Sequence, residues 1–357
     1  MYVHFRPKDS LVITAEQAFE QQSNLRSLCA EREPAGLLSR SLYGAEETLK
    51  EYCGVRSKRP LKVLLPHGVM LHERHIDPVD RQARMPFVWC YPSYRVDVFH
   101  KEAIAEPVLS AAPYVYTCSL LKDQPALTRR GTIFFPQHVG FRDSLTDSRR
   151  ALNAKFALEL KSLPASFQPV SVCIFWADFQ KDYHQPYLDA GLEVVCAGHS
   201  YDAEHHSRFA HLCSRHAFAS GYHPEPSSST HWLGNSFSNT MFYSIKSGCH
   251  YFNLASLLNQ EKRRWFDNAT RLVDVVAGPS QLNVEKRLYD LFFEPSDRFT
   301  HDQIELINYL LGVEYLKTPR ELRFFLLKCD FAYYYRSTDQ YKAYGWRHWI
   351  SGDGNDK

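Results

Sequence analysis

The chain has almost no excess of either charge: 42 basic and 40 acidic side chains leave a formal net charge of +2 over 357 residues. That excludes the strong basic field of a general nucleic-acid binder, although a local basic face stays open. No apolar run approaches the roughly 20 residues of a membrane-spanning helix. The start, MYVHFRPKDS, has neither an apolar signal core nor a small-residue cleavage site. A cytoplasmic protein is therefore expected, with at most a peripheral contact at the inner face of a membrane. The nine cysteines include no C-x-x-C pair. Structural zinc needs ligands paired at short spacing, so the thiols are expected to be reduced and mostly buried. The motifs G-x-x-x-x-G-K-S/T, G-x-G-x-x-G and G-x-S-x-G are all missing, so P-loop, conventional dinucleotide-binding and α/β-hydrolase readings lack their defining residues.

What is present is the make-up of a globular chain: 44% apolar, 23% charged and 14% aromatic residues, in a length sufficient for two ordinary domains. The first half holds short apolar runs bounded by loop residues: SLVIT (10–14), LKVLLPHG (61–68), PFVWCYP (86–92), YVYTCSLL (114–121) and GTIFFPQHVG (131–140). Separated by helical stretches at 15–32 and 44–53, they predict buried strands of an α/β sheet. A helix within 141–169, ended by Pro164 and Pro169, leads into the second half. There VSVCIFWADF (170–179), LEVVCAG (192–198), AFASG (217–221) and CHYFNL (249–254) alternate with helices. This is the order of a parallel doubly wound domain, whose ligands bind beyond the carboxyl ends of the strands. The expected units are 1–165, 166–300, and a region of C-terminal helices and tail at 301–357 that packs back on the domains. Gly312 separates two amphipathic helices there, and Thr318-Pro319 starts the second.

The polar stretch VVCAGHSYDAEHHSRF (194–209) begins inside one of these strands. It sets His199 and Ser200 at the mouth of the sheet, with Asp202 placed to cap the next helix and Arg208 available to an anion. A metal reading would draw on His199, Asp202, His205 and His206, but H-E-x-x-H and comparable spacings are absent. A second constellation, LGNSFSNTMFYSIKSG (233–248), crowds Gly234, Asn235, Ser236, Ser238, Asn239 and Thr240 at a helix start. Free N–H groups, the positive end of the helix dipole and small polar side chains suit a phosphate or carboxylate. Two strand ends in the first half carry acid–base candidates: His67, Glu73, His75 and Asp77, and then His138, Arg142 and Asp143.

The two helix starts, His199-Ser200 and Ser236 to Thr240, open from strand ends of one Rossmann-like unit. They resemble the donor domain of GT-B glycosyltransferases of bacterial capsule and lipopolysaccharide synthesis, distantly of the sialyltransferase and Kdo-transferase type. The likeness spans about residues 170–328 and takes in AGHSYD…RF, SNT…Y and the C-terminal N-Y-L-L-G…TPREL. It implies a GT-B-like α/β fold, with two Rossmann-like domains facing a cleft and C-terminal helices. It also implies metal-independent transfer of a sugar from a nucleotide-sugar donor to a glycan or glycolipid acceptor, with no cofactor beyond that co-substrate.

The resemblance assigns donor contacts to His199, Ser200, Arg208, Ser236, Ser238, Asn239 and Thr240. Catalysis falls among Asp143, His138, Glu73 and His67, and an acceptor carboxylate or phosphate falls to Arg142. Two departures keep the nucleotide open among CMP, UDP and GDP. His199 is followed by Ser rather than Pro, and Ser238-Asn239-Thr240 is not an adjacent Ser/Thr pair. The alternatives are a metal-dependent α/β hydrolase built on the His199–His206 cluster and a non-catalytic sugar-nucleotide-binding protein.

Overall fold

A computed structural model describes residues 12–33, 42–69, 71, 85–102, 105–136, 146–222, 238–257 and 279–335. Helices α1 (Ala15–Glu20), α2 (Leu25–Leu28) and α3 (Ala45–Tyr52) precede a first parallel sheet. Its strands are β1 (Val63–Leu64), β2 (Phe87–Cys90) and β3 (Glu106–Leu109), hydrogen-bonded in that order, with α4 (Arg95–Glu102) between the last two. Helix α5 (Pro113–Leu121) then leads to β4 (Thr132–Phe135), α6 (Thr146–Lys161), β5 (Val170–Ile174), α7 (Trp176–Gln180), α8 (Gln185–Asp189) and β6 (Glu193–Cys196). The second sheet is completed through α9 (His205–Ser214), β7 (Phe218–Gly221), α10 (Asn239–Lys246) and β8 (His250–Asn253). Helices α11 (Leu254–Leu257), α12 (Pro279–Phe292), α13 (His301–Leu310) and α14 (Pro319–Tyr335) follow.

The second sheet is parallel throughout, in the order β6-β5-β4-β7-β8. The chain works outward from β4 to β6, then returns to the far side of β4 for β7 and β8. The reversal lies between β4 and β7, where Phe134 pairs with Ser220. In such sheets the crevice beyond the carboxyl ends at this point is the usual ligand position. Strands β2, β4 and β5 are buried at every residue, which is why they read as continuous apolar runs rather than as alternations.

The α/β alternation over 170–254 matches the sequence expectation, but three parts of the first half differ. YVYTCSLL, expected as a strand, is helix α5, begun by Pro113 at its first position. Its Tyr114, Val115, Tyr116 and Thr117 are all buried, and a helix apolar on most sides has no amphipathic period to reveal it. Of SLVIT, the described part forms no strand; Thr14 instead caps α1. Its Oγ1 accepts from the Gln17 N–H at 3.2 Å, while Gln17 Oε1 accepts from the Thr14 N–H at 2.9 Å. The described part of the run at 131–140, grouped by sequence with the first unit, supplies β4 (Thr132–Phe135), the middle strand of the second sheet.

The two sheets also share a core. Val63, Trp89 and Tyr114 belong to one contiguous buried cluster with Ile133, Phe209, Tyr243 and Leu310. The C-terminal helices pack back on the first sheet: the Phe325 ring on α14 meets those of Phe87 and Trp89 edge-on, each at 5.8 Å. Arg323 adds hydrogen bonds to the Cys53 carbonyl. Among the described residues no helix is long and apolar enough to cross a membrane.

Candidate active site

The loop leaving β6 is built around a buried guanidinium. Arg208, 1% exposed, donates to the Ala197 carbonyl at 2.7 Å, Asp202 at 3.1 Å, Glu204 at 2.8 Å and Gln21 at 2.6 Å. Gly198 permits this close approach. It sits at φ +97°, and a Cβ there would lie 2.5 Å from the Arg208 Nη1. Arg208 is thus committed to holding the loop, which corrects the expectation that it was available to an anion. Asp202 Oδ1 accepts from the Glu204 N–H at 3.1 Å, a turn just ahead of α9, but the helix is capped at Glu204 without a side-chain bond, so Asp202 does not make the cap expected of it.

This scaffold fixes His199. The ring lies 3.8 Å from that of Trp176, centroid to centroid, and Nδ1 accepts from the Tyr201 N–H at 3.1 Å. A neutral imidazole that accepts at Nδ1 carries its proton on Nε2. That Nε2 is buried and has no partner, so the site holds an unsatisfied donor. Burial, helped by the Arg32 charge and opposed by Asp202, lowers the His199 pKa and favours this neutral form. Ser200 is engaged locally: Trp176 Nε1 donates to its Oγ at 2.9 Å, and its carbonyl accepts from the Tyr43 N–H.

Tyr43, held at φ 61°, carries the site toward the first sheet. Its ring lies 4.8 Å from His205, 5.9 Å from His206 and 5.8 Å from His67, and its hydroxyl is 3.4 Å from His67 Nε2. His206 is also ringed by Tyr114 at 5.3 Å and Tyr243 at 5.5 Å, with both of its nitrogens buried and unpartnered. Burial drives its pKa well below the usual value, and that of His205, next to Arg208, down to about 3. Both rings are neutral at ordinary pH.

The start of α10 closes the remaining side. Asn239 Oδ1 accepts from the Val69 N–H at 2.7 Å, and its Nδ2 donates to the His67 carbonyl at 3.5 Å. Gly68 leaves room for that amide, because a Cβ at this position would come within 2.0 Å of Asn239 Nδ2. The Asn239 side chain therefore ties a loop after β1 to the helix after β7, which sequence reasoning had not expected of it. Ser238 and Thr240, both half-buried, hydrogen-bond to each other through their hydroxyls.

Asn239 thus meets the backbone of residues 67–69, and Tyr43 links that loop to the one after β6, its N–H donating to the Ser200 carbonyl and its hydroxyl lying 3.4 Å from His67 Nε2. Glu73, His75, Asp77, His138, Arg142, Asp143 and Ser236 lie outside the described residues. Tyr43, Tyr114, Trp176 and Tyr243 were missed, and nothing in their local sequence marks them. Among the described residues, the one trio of metal-type donors with all ligand atoms within 4.8 Å of one another is His301, Asp302 and Glu305, which are exposed. The histidines at 199–206 are not so gathered. Comparison with family models, curated proteins and solved structures found no match to this chain.

Proposed function

We propose that the chain is a GT-B-type glycosyltransferase that moves a sugar from a nucleotide-sugar donor to a cell-surface polysaccharide or lipopolysaccharide acceptor. The observation that carries this reading is the contact between Asn239 and the backbone of residues 67–69. It joins the carboxyl-side loop of one parallel sheet to a helix start on the carboxyl side of the other. Donor and acceptor groups can then be held from opposite walls of one cleft, the proximity a two-substrate transfer requires.

In this reading the donor phosphate lies between His199 and the first turn of α10. The unpartnered His199 Nε2–H and the positive dipole end of α10 act in a low-dielectric setting, where they stabilise charge developing on the departing phosphate. His67 is the base, taking the acceptor hydroxyl proton at Nε2, the atom that the Tyr43 hydroxyl now meets.

Calorimetry with CMP, UDP and GDP in the presence of EDTA tests the placement. One nucleotide should bind, with affinity falling about tenfold or more in His199→Ala and Thr240→Ala, as loss of a charge-assisted hydrogen bond demands. Unchanged affinity in both variants rejects it. Stoichiometric zinc or manganese in the purified protein favours the hydrolase instead, and binding without turnover favours a sugar-nucleotide-binding protein.

A further inference from the structure

Cys29 and Cys196 are 167 residues apart in sequence, yet their sulfurs lie 3.4 Å apart. Each residue is 1% exposed, and both are free thiols. Cys29 immediately follows α2, and Cys196 is the last residue of β6. Their surroundings hold both in place: the Cys196 N–H donates to Gln22 Oε1 at 2.9 Å, and Gln180 Nε2 donates to the Cys29 carbonyl at 3.0 Å. The next bonds reach the candidate site, since Gly198 N–H donates to Cys196 Sγ at 3.3 Å and His199 N–H to the Leu28 carbonyl at 3.0 Å.

We propose that Cys29 and Cys196 are a modification site, a thiol pair that a hydroperoxide converts into a reversible disulfide stapling α2 to the loop that carries His199. The thiol of Cys29 donates to the sulfur of Cys196, which lowers the Cys196 pKa; the Gly198 N–H and the Arg208 charge act in the same direction against burial. The same bond raises the pKa of Cys29. Cys196 is therefore the first nucleophile.

Its thiolate attacks one oxygen of hydrogen peroxide, the O–O bond breaks, and the departing hydroxide takes up the proton that the Cys196 thiol released on ionising and leaves as water, giving a sulfenic acid. The Cys29 sulfur then attacks the sulfenic sulfur, the S–O bond breaks, and the Cys29 proton leaves with the hydroxyl as a second water. Two electrons pass from the sulfur pair to the peroxide. The sulfurs must close from 3.4 Å to about 2.05 Å, and that movement falls on the segment beneath His199. The proposal does not depend on what the cleft binds.

The test treats the folded full-length chain with hydrogen peroxide, blocks remaining thiols, and maps peptides under non-reducing conditions. One cross-linked pair containing Cys29 and Cys196 is expected. The thiol count in denaturant should fall by two from nine and recover with dithiothreitol. Neither change should occur in Cys29→Ser or Cys196→Ser. A cross-link of either cysteine to Cys173, a pair formed by Cys213 and Cys249, or nine surviving thiols would overturn it. Should a serine variant fail to fold, the wild-type peptide map decides alone.

Discussion

Replacing Arg208 with Ala separates a loop-holding role from a ligand-binding one. The side chain is 1% exposed and that of its partner Asp202 is 6% exposed, so solvent offers either group little compensation. Breaking a buried pair by deleting one partner costs about 3–5 kcal/mol, because the other charge is left unpaired. Arg32 remains 3.4 Å from Asp202, which places the expected loss near the lower end, about 3 kcal/mol. Urea unfolding followed by far-ultraviolet circular dichroism reads the loss. Arg208→Ala combined with Asp202→Ala should lose clearly less than the sum of the single variants. If Arg208→Ala unfolds at the wild-type midpoint while losing nucleotide affinity, the buried network is idle and the arginine belongs to the ligand.

Three further substitutions probe the same region. Burial raises the Asp178 pKa from 3.8 to about 7 against the charges of Arg149 and Lys181; its stabilising contribution is therefore full below the unfolded pKa and lost as pH rises through about 7. Asp178→Asn should flatten that fall in the urea midpoint, and identical pH slopes in both proteins would refute it. His206→Phe removes two unpartnered buried nitrogens at similar volume and should raise stability by about 1–3 kcal/mol; a lower midpoint would mean that the imidazole has a partner. Gly68→Ala directs a methyl into Asn239, 2.0 Å away, and should cost about 1–3 kcal/mol. Adding Asn239→Ala should recover part of that loss, and strict additivity in unfolding experiments would contradict the clash.

The second sheet was legible because its strands are buried at every residue beyond the first and are punctuated by turns at Gly191, Gly198 and Gly248, each at positive φ. The first sheet was less so. Strand β1 lies within the expected run at 61–68 but is only two residues long, and β3, with an exposed Glu106 followed by Pro107, does not stand out by composition. In the site, His199 and the start of α10 were readable from their places at a strand end and a helix start. The burial of Arg208 was not, because i,i+4 spacing from Glu204 describes a solvent-facing pair equally well. His205 and His206 were read only as candidate metal donors, yet both rings lie against Tyr43 and His206 also against Tyr243. Those tyrosines come from segments about 200 residues apart in sequence, and only the packing of α5, α9 and α10 between the sheets brings them together.

The central claim is tested most directly by incubating the protein with CMP-, UDP- and GDP-sugars in EDTA and following donor cleavage by chromatography. The account predicts that one donor is split into sugar and nucleotide, with turnover lost in His67→Ala and affinity for that nucleotide retained. If a nucleotide binds and no sugar donor is cleaved, or if cleavage requires a metal that EDTA removes, the glycosyltransferase reading is wrong.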